Sequence, residues 1–246
     1  MIDLKGFLSH LIYKTVGTLN FARQIEWQNM LEWLDPREGE RILDVACGGG
    51  RLSLKIAEKG CKVYGIDISE DSINTAKRLA EREKINAHYE IADAQHLPYS
   101  GGYFDKVVCS SSLEHFPDDV ESLKEMNRIL KQGGTLVLTT DSCIYLNQGS
   151  IGERHRDIAH IVNYYTPEIL KERFEIAGLV IVKIKYLLKS PITRFFINIG
   201  IKMAWRGYLW LGISLLAYPL CLLSERLFKT RELGYVLIAE AKNNLM

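Results

Sequence analysis

Three acids and one run of glycines stand out for the chemistry they can do. Residues 42–50 read Ile-Leu-Asp-Val-Ala-Cys-Gly-Gly-Gly, an apolar run that carries Asp44 and ends in three glycines. Leu52, Leu54, Ile56 and Ala57 follow within residues 51–59, which predicts a helix there. A strand, a bare turn and a helix start give a ligand close approach to the main chain and a set of unpaired N–H groups. Two nucleotide-binding patterns compete for that turn. The dinucleotide pattern G-x-G-x-x-G finds Gly48 and Gly50 but meets Ser53 in the third place. Asp44 would also repel a pyrophosphate, whereas it would attract a cationic amino group. Asp67 ends the strand expected over 62–68, and Asp93 follows the strand expected over 88–91. A carboxylate at the end of a second strand suits a ribose, because it accepts from two neighbouring hydroxyls. Its competing role is to cap the helix at 69–83, but Ser69 or Asp71 supplies that cap. For Asp93 the competing role is an Asx turn.

A ligand with a cationic amino end and a sulfonium is S-adenosylmethionine. The D-x-A-x-G-x-G run of Asp44, Ala46, Gly48 and Gly50 resembles the first motif of class I S-adenosylmethionine-dependent methyltransferases. Further segments continue the likeness in order. Leu97-Pro98-Tyr99 and Tyr103-Phe104-Asp105 lead into a strand at 106–110, and residues 110–118 read Ser-Ser-Ser-Leu-Glu-His-Phe-Pro-Asp. Lys131-Gln132-Gly133-Gly134 resembles the family's L-K-P-G-G turn, with Gln in place of Pro. The resemblance runs from 42 to 140 and is to the small-molecule branch, which includes quinone-ring and sterol methyltransferases. The N-P-P-Y of base-amino methyltransferases is absent, so nucleic acid is not an expected substrate.

The resemblance implies a cofactor, S-adenosylmethionine, and residues to hold it. Asp44 and the main chain from Ala46 through Gly48 to Gly50 would take the methionine end. Asp67 would take the ribose, with Ile68 packed on the adenine, while Asp93 and Ala94 read the adenine edge. Ser110 would offer its carbonyl to the ammonium. In this family N-terminal helices close over the cofactor, which makes Tyr13 a lid candidate; the competing role is plain packing. Methyl transfer from a sulfonium is an in-line displacement, so the protein mainly aligns the groups and excludes water. A base is needed only where the acceptor must lose a proton. His115 follows the fourth strand, where the methyl should point, and a side-chain pKa near 6.5 suits that task. His155 and His160 lie in the segment that should face the substrate and are further candidates; His10, His88 and His96 read as structural or exposed.

These residues need a scaffold. At 246 residues, with 47% apolar and 25% charged side chains, the chain has the composition of one globular domain, or one domain with an insertion. A net charge of +1 gives no global field for nucleic acid. The five cysteines show no C-x-x-C pair and no metal-ligand spacing, so no metal is expected and a reduced, cytoplasmic setting fits. The N-terminus shows no signal-peptide pattern. Helices are expected over 1–34 with a break at Gly17, over 120–130 and from 167 to 177. Strands are expected at 135–140, 179–188 and 235–241, with a polar irregular loop over 141–163. The implied fold is α/β: a doubly wound, seven-stranded, mostly parallel sheet of Rossmann-like methyltransferase type.

Residues 1–188 and 233–246 form the expected methyltransferase domain, and 189–232 an insertion before the last strand. Arg194, Asn198, Lys202 and Arg206 recur every fourth position among apolar residues, which predicts a basic amphipathic helix. Residues 207–223 carry no charge. Between 183 and 231 there are nine basic residues and one acid, Glu225. Because strands six and seven must share a sheet, the insertion starts and ends on one side and cannot cross a membrane once. It therefore dips into a membrane surface through 192–223, caps the active site, or meets a second copy of the chain. The expected activity is methylation of an oxygen or carbon on a small, apolar or lipid-linked acceptor. The alternatives are a non-catalytic protein of this fold whose insertion binds membranes or partners, and a soluble methyltransferase that dimerises through the insertion.

Overall fold

The computed structural model describes residues 20–143, 149–203, 208–228 and 233–243; Tyr13 lies outside them. The elements run α1 (Phe21–Leu34), β1 (Arg41–Val45), α2 (Arg51–Ala57), β2 (Lys62–Asp67), α3 (Glu70–Glu83), β3 (Ala87–Ile91) and β4 (Phe104–Ser110). A 3-10 turn (Leu113–His115), α4 (Asp119–Ile129), β5 (Leu130–Asp141), α5 (Ser150–Ala159), α6 (Pro167–Ile176) and β6 (Leu179–Leu187) follow. The chain then forms α7 (Pro191–Lys202), α8 (Tyr208–Leu227) and β7 (Val236–Asn243). The seven strands make one sheet in the order β3-β2-β1-β4-β5-β7-β6, with β7 antiparallel to both neighbours. This is the doubly wound, mostly parallel sheet that the family resemblance implied.

The period of two along the strands explains why both faces are covered. Ile42, Val108, Val137 and Ile238 join one apolar cluster, with α1, α7 and α8. Their chain neighbours Leu43, Val107, Leu138 and Leu237 join another, with α4 and α6. Local signals start the helices. Ser69 accepts the Ser72 N–H at 3.3 Å ahead of α3, and Asp118 accepts the Glu121 N–H at 2.9 Å ahead of α4. Thr166 caps α6, with Pro167 in its first turn.

One expectation needs correction. The segment 141–163 is not an irregular loop, because 150–159 form α5, which carries His155 on its buried side. Its polar composition hid an amphipathic helix. The polar stripe of the amphipathic helix α7 makes specific contacts. Arg194 donates to the main-chain oxygen of Leu233, and Asn198 accepts from the Tyr235 hydroxyl at 2.6 Å. These contacts fasten α7 to the chain entering β7, whereas Ile192 and Phe195 remain 45% and 61% exposed. Glu225 of α8 accepts the Ser190 N–H at 2.7 Å and so ties the start of α7 to α8.

The helices of 189–232 share the main core. Ile197, Ile201, Trp210, Ala217 and Cys221 are buried in the cluster that holds α1 and one face of the sheet. Among the described residues, no helix is long and apolar enough to cross a membrane. Leu216, Leu220, Leu223 and Leu227 lie three or four residues apart along α8 and are each more than half exposed.

Candidate active site

The site lies where the strand order reverses, between β1 and β4, at the carboxyl ends of the parallel strands. Here two non-glycine residues hold positive φ, Ala46 at 55° after β1 and Ser111 at 41° after β4. Such φ values are uncommon outside glycine. Ser111 is fixed there because its N–H donates to the Thr139 carbonyl at 3.0 Å and to the Thr139 hydroxyl oxygen at 2.9 Å.

Three adjoining hollows run along this edge. The first, about 480 Å³, is walled by Asp67, Ile68, Asp93, Ala94 and Phe116. The second, about 340 Å³, passes over Asp44 and Gly48 to Arg23, Trp27, Arg51 and Ser110. The third, about 220 Å³, is walled by Glu26, Glu114, Asp141 and His155 together with apolar side chains. Ala46 and Ser112 border the first and second, Arg23 and Ser111 the second and third, and His115 the first and third.

Asp44 is buried, and its carboxylate accepts the Ser53 hydroxyl at 2.5 Å. Burial pushes its pKa up to about 7 despite the Ser53 hydrogen bonds, so a cation arriving beside it would ionise it. Ser53, which breaks the dinucleotide pattern, is thus the residue that holds the acid. Asp67 accepts from the Gly48 N–H and the Ser69 N–H, both at 2.9 Å. It is therefore not idle, because it joins the loop after β1 to the turn after β2. Asp93 forms the Asx-type bond, accepting the Gln95 N–H at 2.9 Å, and still faces the first hollow. The Ser110 carbonyl accepts the Ser112 hydroxyl at 3.0 Å.

These features fit S-adenosylmethionine. Ile68 is 74% exposed beside Asp67, an apolar platform without a cover in the described chain. A Cβ on Gly48 would meet nothing within 4 Å, so the loop is bare where a ligand would lie against it. Asp67 would hold the ribose, Asp93 and Ala94 the adenine, and Asp44 the ammonium. Bound there, the cofactor supplies an electrophilic methyl on a positively charged sulfur.

The helix α1 brings residues that the sequence reading missed. Arg23, Glu26 and Trp27 share one face, and all three reach Ser110. Arg23 Nη1 and Trp27 Nε1 donate to its hydroxyl oxygen at 3.3 and 3.1 Å, and that hydroxyl donates to Glu26 at 3.0 Å. Glu26 also accepts from Ser111 at 2.7 Å, from Thr139, and from Arg23 at 3.1 Å. The available signal was their spacing at i, i+3 and i+4, which sets the three on one helix face. Glu114 and Asp141 were also missed, although Glu114 lies within the 110–118 run and Asp141 follows the strand expected at 135–140.

The three candidate histidines divide by role. His115 keeps solvent access, and its Nδ1 lies 3.4 Å from the main-chain oxygen of His160. Burial lowers its pKa, so the ring is neutral near pH 7. His160 is exposed and sits at the left-handed end of α5. It meets His115 through its carbonyl, not through its imidazole. His155 is buried between Asp141, 3.4 Å from Nε2, and the Tyr164 hydroxyl, 3.1 Å from Nδ1. Burial lowers its pKa to about 4. Both of its ring nitrogens are thus engaged. No group of acids, cysteines and histidines among the described residues has the arrangement to hold a metal ion.

An α/β sheet with its ligand cleft at the switch point, a buried acid and a bare glycine loop defines a nucleoside-binding class of fold. Within that class the chain belongs to the methyltransferase domain family, whose model matches residues 36–178. It is similar to a ubiquinone biosynthesis O-methyltransferase of Coxiella burnetii, with 39% identity over 103 residues. That stretch covers 42% of this chain and 44% of the relative, less than half of its length. The fold is similar to that of the 4+2 cyclase SpnF, with TM-score 0.66 and 20% identity over 89% of this chain and 81% of that one. It is also similar to a geranyl diphosphate methyltransferase in complex with S-adenosylmethionine, with TM-score 0.65 and 16% identity over 88% and 84%.

Proposed function

We propose that the protein moves a methyl group from S-adenosylmethionine to an oxygen of a small apolar or lipid-linked acceptor. The observation that carries this reading is the position of His115, which borders both the hollow of Asp67 and Asp93 and the half-apolar cavity beneath α7. With Nδ1–H directed at the His160 carbonyl, the neutral ring presents the lone pair of Nε2 as a base. An acceptor hydroxyl would give its proton to Nε2 as the new oxygen–methyl bond forms and the carbon–sulfur bond breaks. His155 would act through Asp141 and Tyr164, holding the cavity wall. The relative's name, an O-methyltransferase of ubiquinone biosynthesis, supports oxygen as the acceptor atom.

The exposed leucines of α8 and the basic residues around 183–231 support peripheral contact with a membrane through 192–223, from which such an acceptor would be taken. The same leucine ridge would equally suit a homodimer contact. Calorimetry with S-adenosylmethionine, followed by a methyl-transfer assay on alkylated phenols, tests the activity. Micromolar-range binding and a loss of rate of about 100-fold or more in His115→Asn are expected. No binding at millimolar ligand would remove the proposal.

A further inference from the structure

The charge pattern of the cavity beneath α7 bears on which head group enters it; the inference rests on the methyl-transfer reading above. Glu26, Glu114 and Asp141 come from α1, the 3-10 turn and β5, and are 3%, 1% and 8% exposed. Arg23 is the one arginine or lysine among the described residues that line the cavity, and it is committed to Glu26 at 3.1 Å. Glu26 is further matched by Ser110, Ser111 and Thr139. Glu114 has the Thr140 hydroxyl at 2.9 Å, and Asp141 faces His155, whose ring is neutral. Among the described residues these two buried carboxylates from different elements form no ion pair with a lysine or arginine and feel Arg23 only at longer range, on the polar side of a cavity whose other wall is Ile161, Leu188, Ile197 and Val236.

Size narrows the occupant further. A cavity of about 150 Å³ holds a benzene ring, so one of about 220 Å³ holds a substituted ring and not a long chain. A tail must leave along the apolar wall. Burial raises the pKa of both Glu114 and Asp141, helped by repulsion from Glu26 on the first and from Glu114 and Glu26 on the second. A negative head would meet the like charge of Glu26, and of Glu114 or Asp141 wherever either ionises, in a poorly screened space. A donor head would satisfy both carboxyls, and a cationic head would also restore their ionised form.

We propose that this cavity selects acceptors whose head group donates hydrogen bonds and carries no negative charge, either an un-ionised hydroxyl or a protonated amine, and rejects phosphate, sulfate and carboxylate heads. Glu114 and Asp141 are the specificity-determining residues. The test uses three decylphenols that differ in one ring substituent: a second hydroxyl, an aminomethyl group or a carboxylate. Binding of each is measured by calorimetry near pH 7, with and without S-adenosylhomocysteine, and methyl transfer is measured alongside. The hydroxyl and aminomethyl probes should bind at least about 30-fold more tightly than the carboxylate probe, as expected for like charges at low effective dielectric. Tighter binding of the aminomethyl probe than of the hydroxyl probe would mark a cationic acceptor, and the reverse order a neutral one. Asp141→Asn and Glu114→Gln should each shrink the bias against the carboxylate while leaving cofactor affinity unchanged. If one variant does not fold, the other carries the comparison. Equal binding of all three probes to the wild type, or a bias untouched by the variants, overturns the proposal. Failure to bind any cofactor would instead overturn the methyl-transfer reading, since probe binding is read without it.

Discussion

The carboxylate of Asp67 accepts the main-chain N–H of Gly48 at 2.9 Å, so the acid placed to meet a ribose also sets the shape of the loop that would meet the methionine end. An ionised carboxylate has about four lone-pair sites, and two are taken, by Gly48 and Ser69. Asp67 also walls the first hollow. Asp67→Ala should therefore weaken S-adenosylmethionine binding by about 1–3 kcal/mol through lost charged hydrogen bonds. It should also lower the melting temperature of the free protein, because the Gly48 N–H loses its partner. Calorimetry and thermal melts on the same preparation check both. An affinity equal to wild type would contradict the assignment.

Gly48 and Gly50 make a paired test of the same loop. Both have positive φ, 53° and 74°. A Cβ on Gly50 would stand 2.8 Å from the Ala76 Cβ and 2.8 Å from the Tyr89 hydroxyl, so Gly50→Ala combines strain with a clash in a closed core. Its cost should exceed the roughly 1–2 kcal/mol of left-handed strain alone. Gly48→Ala meets open space and should cost only that strain, yet its methyl would enter the ligand's path. The expected pattern is a large loss of melting temperature for the first and a selective loss of cofactor binding for the second.

The buried acids set a pH dependence for the free protein. Burial raises Asp44 and Glu114 to about 7 and raises Asp141 as well. Between about pH 4 and 7 the folded state then holds more protons than the unfolded chain, so stability present at low pH is lost as pH rises through the folded values. His155, lowered to about 4, and His115, also lowered by burial, act in the opposite sense, and their contribution is lost as pH falls below about 6.5. Three groups outweigh two. Stability should rise as pH is lowered from 7.5 toward 5, by up to about 1.4 kcal/mol per pH unit for each net proton. Asp44→Asn and saturating S-adenosylmethionine should both flatten that slope in denaturant melts. A wild-type slope of the opposite sign would show that the carboxyls stay ionised.

The leucine ridge of α8 offers a separable change. Leu216 is 76% exposed and Leu220 54%, so replacing both by Ser removes little buried area from the fold. Vesicles containing anionic lipid should float the wild type and not the double variant, with unchanged melting temperature and cofactor affinity. A wild type that dimerises and ignores vesicles would support the soluble reading.

The cofactor half of the site was legible because each part of it is local. A strand, an acid at its end, a glycine turn and a helix follow one another within 42–57, and the same logic repeats at Asp67 and Asp93. The acceptor half was less so, because it is assembled from α1, β5, α5 and α7 by contacts that no short window contains. Glu26 and Thr139 meet across 113 residues of chain. Asp141 ends a strand as Asp44 and Asp67 do, and that repetition was the available clue. His160 was picked for its imidazole and contributes a carbonyl, a distinction that depends on the left-handed turn at the end of α5.

The antiparallel return of β7 between β5 and β6 has one more outcome. It brings Leu188 and Val236, at the two stems of the α7–α8 segment, to the wall of the third hollow, while Asp44 in β1, Asp67 in β2 and Asp93 after β3 lie on the opposite flank of the sheet. Under the proposed function, changes at Leu188, Ile197 or Val236 would reshape the guest's seat while leaving Asp44, Asp67 and Asp93, which line the other hollows, in place.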